Sequence, residues 1–161
     1  MQEENLASHE GVVDVSIIVP ACFENPLKEY SIDFIEVVLT QEKPAVLPVT
    51  TTMGTYHIVT RYLGVPKVEA KKTLEGILRS GSPALYPQIS SETALEALEY
   101  ALAYNIESWD GYLVSLTRSL GSTIIYTLDV ELSRVREITV VNPFPGEVVE
   151  QYHDFLREKL K

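Results

Sequence analysis

The apolar positions of the chain change period several times, and each change marks an element. GVVDVSIIVPACF (11–23) opens on a β-branched run that predicts a short buried strand. LKEYSIDFIEVVLTQEK (27–43) spaces Ile32, Ile35, Val38 and Leu39 as a helix does. Pro44 and Pro48 then bracket what reads as a short connection. TTTMGTYHIVTRYLG predicts a helix closed by Gly64, and VPKVEAKKTLEGILRSG a second amphipathic helix stopped at Gly81. PALYPQI reads as a short strand. SSETALEALEYALAYN reads as a helix capped at Ser91, with Glu92 on its positive end. A helix from about Ser108 to Leu120, the strand STIIYT, the strand REITVVNPF and the helix GEVVEQYHDFLREKLK complete the pass.

Strands separated by helices predict an α/β fold, a three-layer α/β/α sandwich around a mostly parallel central sheet. No repeat or linker divides it, so residues 11–161 form a single expected domain behind a flexible polar leader, 1–10. A length of 161 residues with 45% hydrophobic content suits one packed domain. The net charge of −10 excludes a broadly basic nucleic-acid-binding surface, though not a local basic patch. A single cysteine, Cys22, excludes a disulfide framework and points to a reducing compartment. The acidic N-terminus does not read as a signal peptide and no apolar stretch reaches membrane-span length, so the expected setting is the cytoplasm.

Only five of the 23 acidic residues are aspartates, and three fall at strand ends or a helix start: Asp14, Asp110 and Asp129. In parallel α/β sheets the functional site lies beyond the carboxyl ends of the strands. Each aspartate also has a plain role available. Asp14 suits a turn onto Ser16, Asp110 a helix first turn behind a Ser108 cap, and Asp129 a cap for DVELSRV. Those roles leave the choice of Asp at all three places unexplained. Clustered carboxylates repel, and a hard divalent cation relieves that repulsion.

The order and spacing of these residues resemble the PIN domain, the nuclease fold of VapC-type toxins and many archaeal proteins, from about Val12 to Pro143. VVDVSIIVPACF is similar to the family's first strand, with Asp14 followed two residues later by Ser16. YNIESWDGYLVSLTRSLGSTIIYTLD resembles its most recognisable segment: a helix opening on an aromatic–Asp pair, a glycine, a β-branched strand, then Thr127-x-Asp129. The resemblance implies a ribonuclease selective for single-stranded RNA and dependent on Mg²⁺ or Mn²⁺. Asp14, Asp110 and Asp129 would be its catalytic and metal-holding residues, with Ser16 and Thr127 supporting them. Through the toxin branch it also implies an antitoxin protein as partner. One departure stands out. The family places a Glu where this chain has Gly54 or, one register later, Thr55, and residues 44–66 hold no carboxylate at all.

His57 and Arg61 share a helical face with Gly54 and are candidates for contact with substrate phosphate. Lys67, Lys71 and Lys72 form a small basic face with the same option, set against an ordinary solvated one. Tyr56, Tyr62 and Tyr112 are candidates for base stacking or for the core. His9 and His153 lack ligand spacing, and Cys22 reads as a buried thiol. No phosphate-cradling glycine pattern occurs. The apolar content of DFIEVVL and TYHIVTRYL predicts a homodimer or higher homo-oligomer built on those faces. The second expectation for function is a catalytically degenerate PIN-like module that binds RNA or protein. A phosphatase or phosphoacceptor domain comes third, since Asp14 has no acidic neighbour.

Overall fold

The computed structural model describes residues 10–161, so the leader up to His9 lies outside the described residues. Five short strands form one sheet in the order β3-β2-β1-β4-β5, and every pairing is parallel. They are β1 (Gly11–Val13), β2 (Ala45–Pro48), β3 (Leu85–Tyr86), β4 (Ile124–Tyr126) and β5 (Thr139–Val141). The described residues hold seven α-helices: α1 (Val15–Ile18), α2 (Lys28–Leu39), α3 (Val49–Arg61), α4 (Lys67–Leu78), α5 (Ser91–Tyr104), α6 (Ser108–Ser119) and α7 (Gly146–Lys159). The expected three-layer α/β sandwich is the observed one.

Alternation along the strands divides the core in two. Val12, Val46 and Ile125 point to one face and pack against Ala97 of α5 and Leu113 and Leu116 of α6. Val13, Ala45, Leu47 and Tyr126 point to the other, where α1, α2, α3, α4 and α7 cover them. Because β1 lies between β2 and β4, the chain leaves it in both directions. The switch point of the sheet is therefore the carboxyl end of β1 and β4, where Val13 is in register with Tyr126.

Several elements differ from the sequence expectation for local reasons. The first strand ends at Val13, because Asp14 caps α1 and turns Val15–Ile18 into a helix. The segment between Pro44 and Pro48 is a buried strand, β2, and not a connection. The capping serine of α5 is Ser90, whose side chain accepts from the Thr93 N–H at 3.1 Å. The residue at the N-cap of α6 is Glu107, which makes no side-chain cap. Gly64 and Gly81 both hold the left-handed backbone expected where a helix stops (φ 68° and 66°).

The apolar residues expected to form a dimer face are largely spent inside the fold. Phe34, Ile35 and Val38 of α2 and Val59 of α3 are buried. The helix that does leave an apolar stripe open is α5, with Leu95, Leu98 and Leu102 exposed one turn apart.

Where α6 crosses α5, a side chain has no room: a Cβ on Gly111 would overlap the Ala97 carbonyl oxygen. Gly111→Ala should therefore destabilise the protein by roughly 3 kcal/mol through overpacking, lowering the melting temperature by about 5–10 °C. Calorimetry giving an unchanged midpoint would show that the two helices separate freely.

Candidate active site

Asp14 is the residue at the switch point. Its backbone N–H extends the ladder to the Tyr126 carbonyl at 2.9 Å, and its side chain caps α1. One carboxylate oxygen, Oδ2, accepts from the Ser16 N–H (3.3 Å), the Ser16 hydroxyl (2.7 Å) and the Thr127 hydroxyl (2.7 Å). The two hydroxyls in turn accept from the backbone of the segment after β4. The Leu128 N–H donates to Ser16 Oγ and the Asp129 N–H to Thr127 Oγ1, each at 2.9 Å. A hydroxyl has one proton to give. With both protons on Asp14, the 3.1 Å approach of Ser16 Oγ to Thr127 Oγ1 is enforced proximity and not a further bond. Ser16 and Thr127 thereby fix the Asp14 rotamer and tie the ends of β1 and β4 together.

Asp110 lies in the first turn of α6, and its side chain opens into the same cleft as Asp14. The cleft has a volume of about 430 Å³. Its walls come from different layers: Gly54, His57 and Tyr62 from α3 and its end, Trp109 and Asp110 from α6, and Asp14 from the sheet between. Burial, then the negative charges of Asp14 and Asp129, push the Asp110 carboxyl up to about 7, with Glu107 and Glu131 adding to the same effect. Asp129 caps the 3₁₀ turn Val130–Arg134 by accepting from the Glu131 N–H at 2.9 Å. It faces an adjoining hollow that it shares with Ser16 and His153. The plain roles considered for Asp14, the Asp110 first turn and Asp129 are therefore all present in the geometry, and the three carboxylates are also electrostatic neighbours.

Gly54 and Thr55 separate cleanly. Gly54 faces the cleft, and a Cβ there would meet only Val15 Cγ2 at 3.7 Å. Thr55 is fully buried and donates its hydroxyl to the Thr51 carbonyl at 2.7 Å. An acidic side chain could occupy the cleft from position 54 alone.

His57 lines the cleft, whereas Arg61 lies in the neighbouring groove with His57, Tyr56, Thr60 and Lys67. Of the three tyrosines, Tyr112 is a core residue and Tyr62 is exposed at the cleft mouth. Burial pushes the Cys22 thiol up to about 11, which agrees with its reading as an inert core thiol. One cleft residue, Thr50, carries no signal in the sequence. The Thr50 and Tyr112 hydroxyls are buried together at the cleft wall, each the other's polar neighbour. Trp109, read in the sequence only as the aromatic of the aromatic–Asp pair, has its ring exposed.

The three carboxylates offer the oxygen donors that suit a hard cation, and one of them is an acid whose ionised form is penalised by its neighbours. As they stand, no three His, Cys, Asp or Glu side chains among the described residues are close enough to hold a metal ion. A shared ion would need the carboxylates to close in around it. Among the described residues, no helix is long and apolar enough to cross a membrane.

The raised pKa of Asp110 sets a pH signature for the metal-free protein. The folded state binds this proton more tightly than the unfolded one, so the stability it contributes is complete below about pH 4. That stability is lost as the pH rises through about 7. In EDTA, Asp110→Asn should match wild type near pH 4 and melt higher at pH 8, by on the order of 5 °C. A variant that melts lower at pH 8 would make Asp110 a structural first-turn residue.

The family model described as "PIN domain" matches residues 11–138, four of the five strands and both segments that carry the aspartates. No curated protein matches the chain. With most of its length covered by that model and its strands in a single parallel sheet, the chain belongs to the PIN-domain family, a family of nucleases that are in general dependent on divalent metal.

Proposed function

We propose that this chain is a ribonuclease acting on single-stranded RNA in the cytoplasm, with Asp14, Asp110 and Asp129 holding Mg²⁺ or Mn²⁺. The observation that carries this reading is the meeting of Asp14 and Asp110 in one cleft at the switch point, with the field of Asp129 falling on Asp110. A divalent ion bound there would neutralise the phosphate and make a water a better nucleophile. The chain's own part is orientation. Ser16 and Thr127 load one oxygen of Asp14, Oδ2, and so hold the carboxylate in place beside the cleft. Burial and like charge have brought the Asp110 pKa to about 7, so a cation bound there would displace its proton near neutral pH.

One observation favours a second reading, a non-catalytic RNA-binding module: the position facing the cleft from α3 is Gly54, and it brings no carboxylate. Cleavage of a single-stranded RNA in Mn²⁺, with EDTA and Asp110→Asn as controls, separates the two. The nuclease reading expects Mn²⁺-dependent cleavage lost in both controls, and binding without cleavage establishes the module.

Gly54→Glu should raise Mn²⁺ affinity, because ligand charge and number set affinity in oxygen sites and the cleft has room for the side chain. Replacing an α3 glycine should leave folding intact, since Gly costs about 1 kcal/mol relative to Ala in a helix interior. Thr55→Glu should lower stability without gaining affinity, because its side chain is fully buried. Titration calorimetry decides between them, and equal affinity in Gly54→Glu, Thr55→Glu and wild type would show that neither position is where the family's Glu belongs.

A further inference from the structure

The mouth of the cleft carries two aromatic rings that the fold does not use. Trp109, the only tryptophan, is 54% exposed, and Tyr62 is 61% exposed. They reach the cleft from opposite layers, Tyr62 at the end of α3 and Trp109 in the first turn of α6 beside Asp110. His57 stands edge-on to Tyr62 at 5.8 Å and connects this mouth to the groove of Arg61 and Lys67. Neither Arg61 nor Lys67 makes an ion pair among the described residues, whereas Lys71 on the next turn is paired with Glu75 at 3.2 Å. On a chain of net charge −10, two unpaired cations beside an acidic cleft form a local exception.

Resting on the nuclease reading, we propose that Trp109 and Tyr62 are the base-stacking clamp of the site. In this arrangement bases of a single strand lie on the two rings while the backbone leaves the cleft past His57 over Arg61 and Lys67. Exposed aromatic faces with a neighbouring cationic track are how proteins hold single strands without reading sequence, since every base has a face to stack. A duplex keeps its bases stacked on each other and cannot offer them to the rings. The clamp therefore accounts for strand selectivity at the site, with side chains that touch neither Asp14 nor Asp129 in their hydrogen bonds.

The sole tryptophan reports on the clamp directly. A fluorescein-labelled 12-residue oligouridylate is titrated in EDTA, where no cleavage occurs, and binding is followed by anisotropy. Trp109 emission is followed in parallel with the unlabelled oligouridylate. Binding should quench Trp109 along the same isotherm, and a duplex of equal length should not. Trp109→Ala and Tyr62→Ala should each weaken binding roughly tenfold, with Trp109→Phe retaining most of it. Arg61→Ala and Lys67→Ala should each lower the salt slope by about 0.7, one phosphate's worth on a single strand. An oligonucleotide that binds without quenching Trp109, or equally well to Tyr62→Ala and Trp109→Ala, overturns the clamp and leaves the nuclease reading standing. An oligonucleotide that does not bind at all also overturns the clamp, and the nuclease reading is then decided by the Mn²⁺ cleavage assay alone.

Discussion

Asp14 Oδ2 collects hydrogen bonds from the backbone and hydroxyl of Ser16 and from the hydroxyl of Thr127, so one oxygen joins the ends of the two central strands. Everything at the site is arranged around that junction. The Leu128 and Asp129 amides bond to the same two hydroxyls, which holds the turn carrying Asp129 against β1. The network satisfies Oδ2 and both hydroxyls through protein groups, and it leaves the other carboxylate oxygen of Asp14 without a protein donor among the described residues. It also decides where Asp14 can act. With Oδ2 committed to three donors, the carboxylate keeps a single orientation beside the cleft.

The second constraint is repulsion. A fold gains nothing from setting Asp110 partly buried among Asp14, Asp129, Glu107 and Glu131, and the consequence is an acid with a pKa near neutral. Gly111, immediately after it, lets α6 press against the Ala97 backbone of α5 and so places Asp110 where that repulsion is felt. The cost falls at the switch point of a parallel sheet, where α/β proteins bind ligands. Capping and charge clustering are thus two uses of the same aspartates.

Much of this was legible in the sequence, because it depends on patterns that are local. The helical periods of α2 to α7 and the β-branched runs of β1 and β4 were readable, and so were the Asp-x-Ser and Thr-x-Asp pairs. β2 was not: four residues between prolines carry too little pattern, and its identity comes from pairing with β1 and β3. Nor was the helical state of Val15–Ile18, a β-branched run that propensity assigns to a strand and the Asp14 cap turns into a helix. The choice between Gly54 and Thr55 needed the packed helix, since one position apart means cleft or core. The exposure of Trp109 depends on how α6 begins against its neighbours, which no spacing encodes.

In the proposed mechanism the carboxylates of the switch point share one cation. Anomalous diffraction from crystals soaked in Mn²⁺ tests it most directly, because it locates the ion without relying on activity. One strong anomalous peak per chain inside the cleft, in ligating contact with Asp14 and Asp110, is the expected result. A peak bound elsewhere, or none at Mn²⁺ concentrations that saturate the protein in solution, would contradict it.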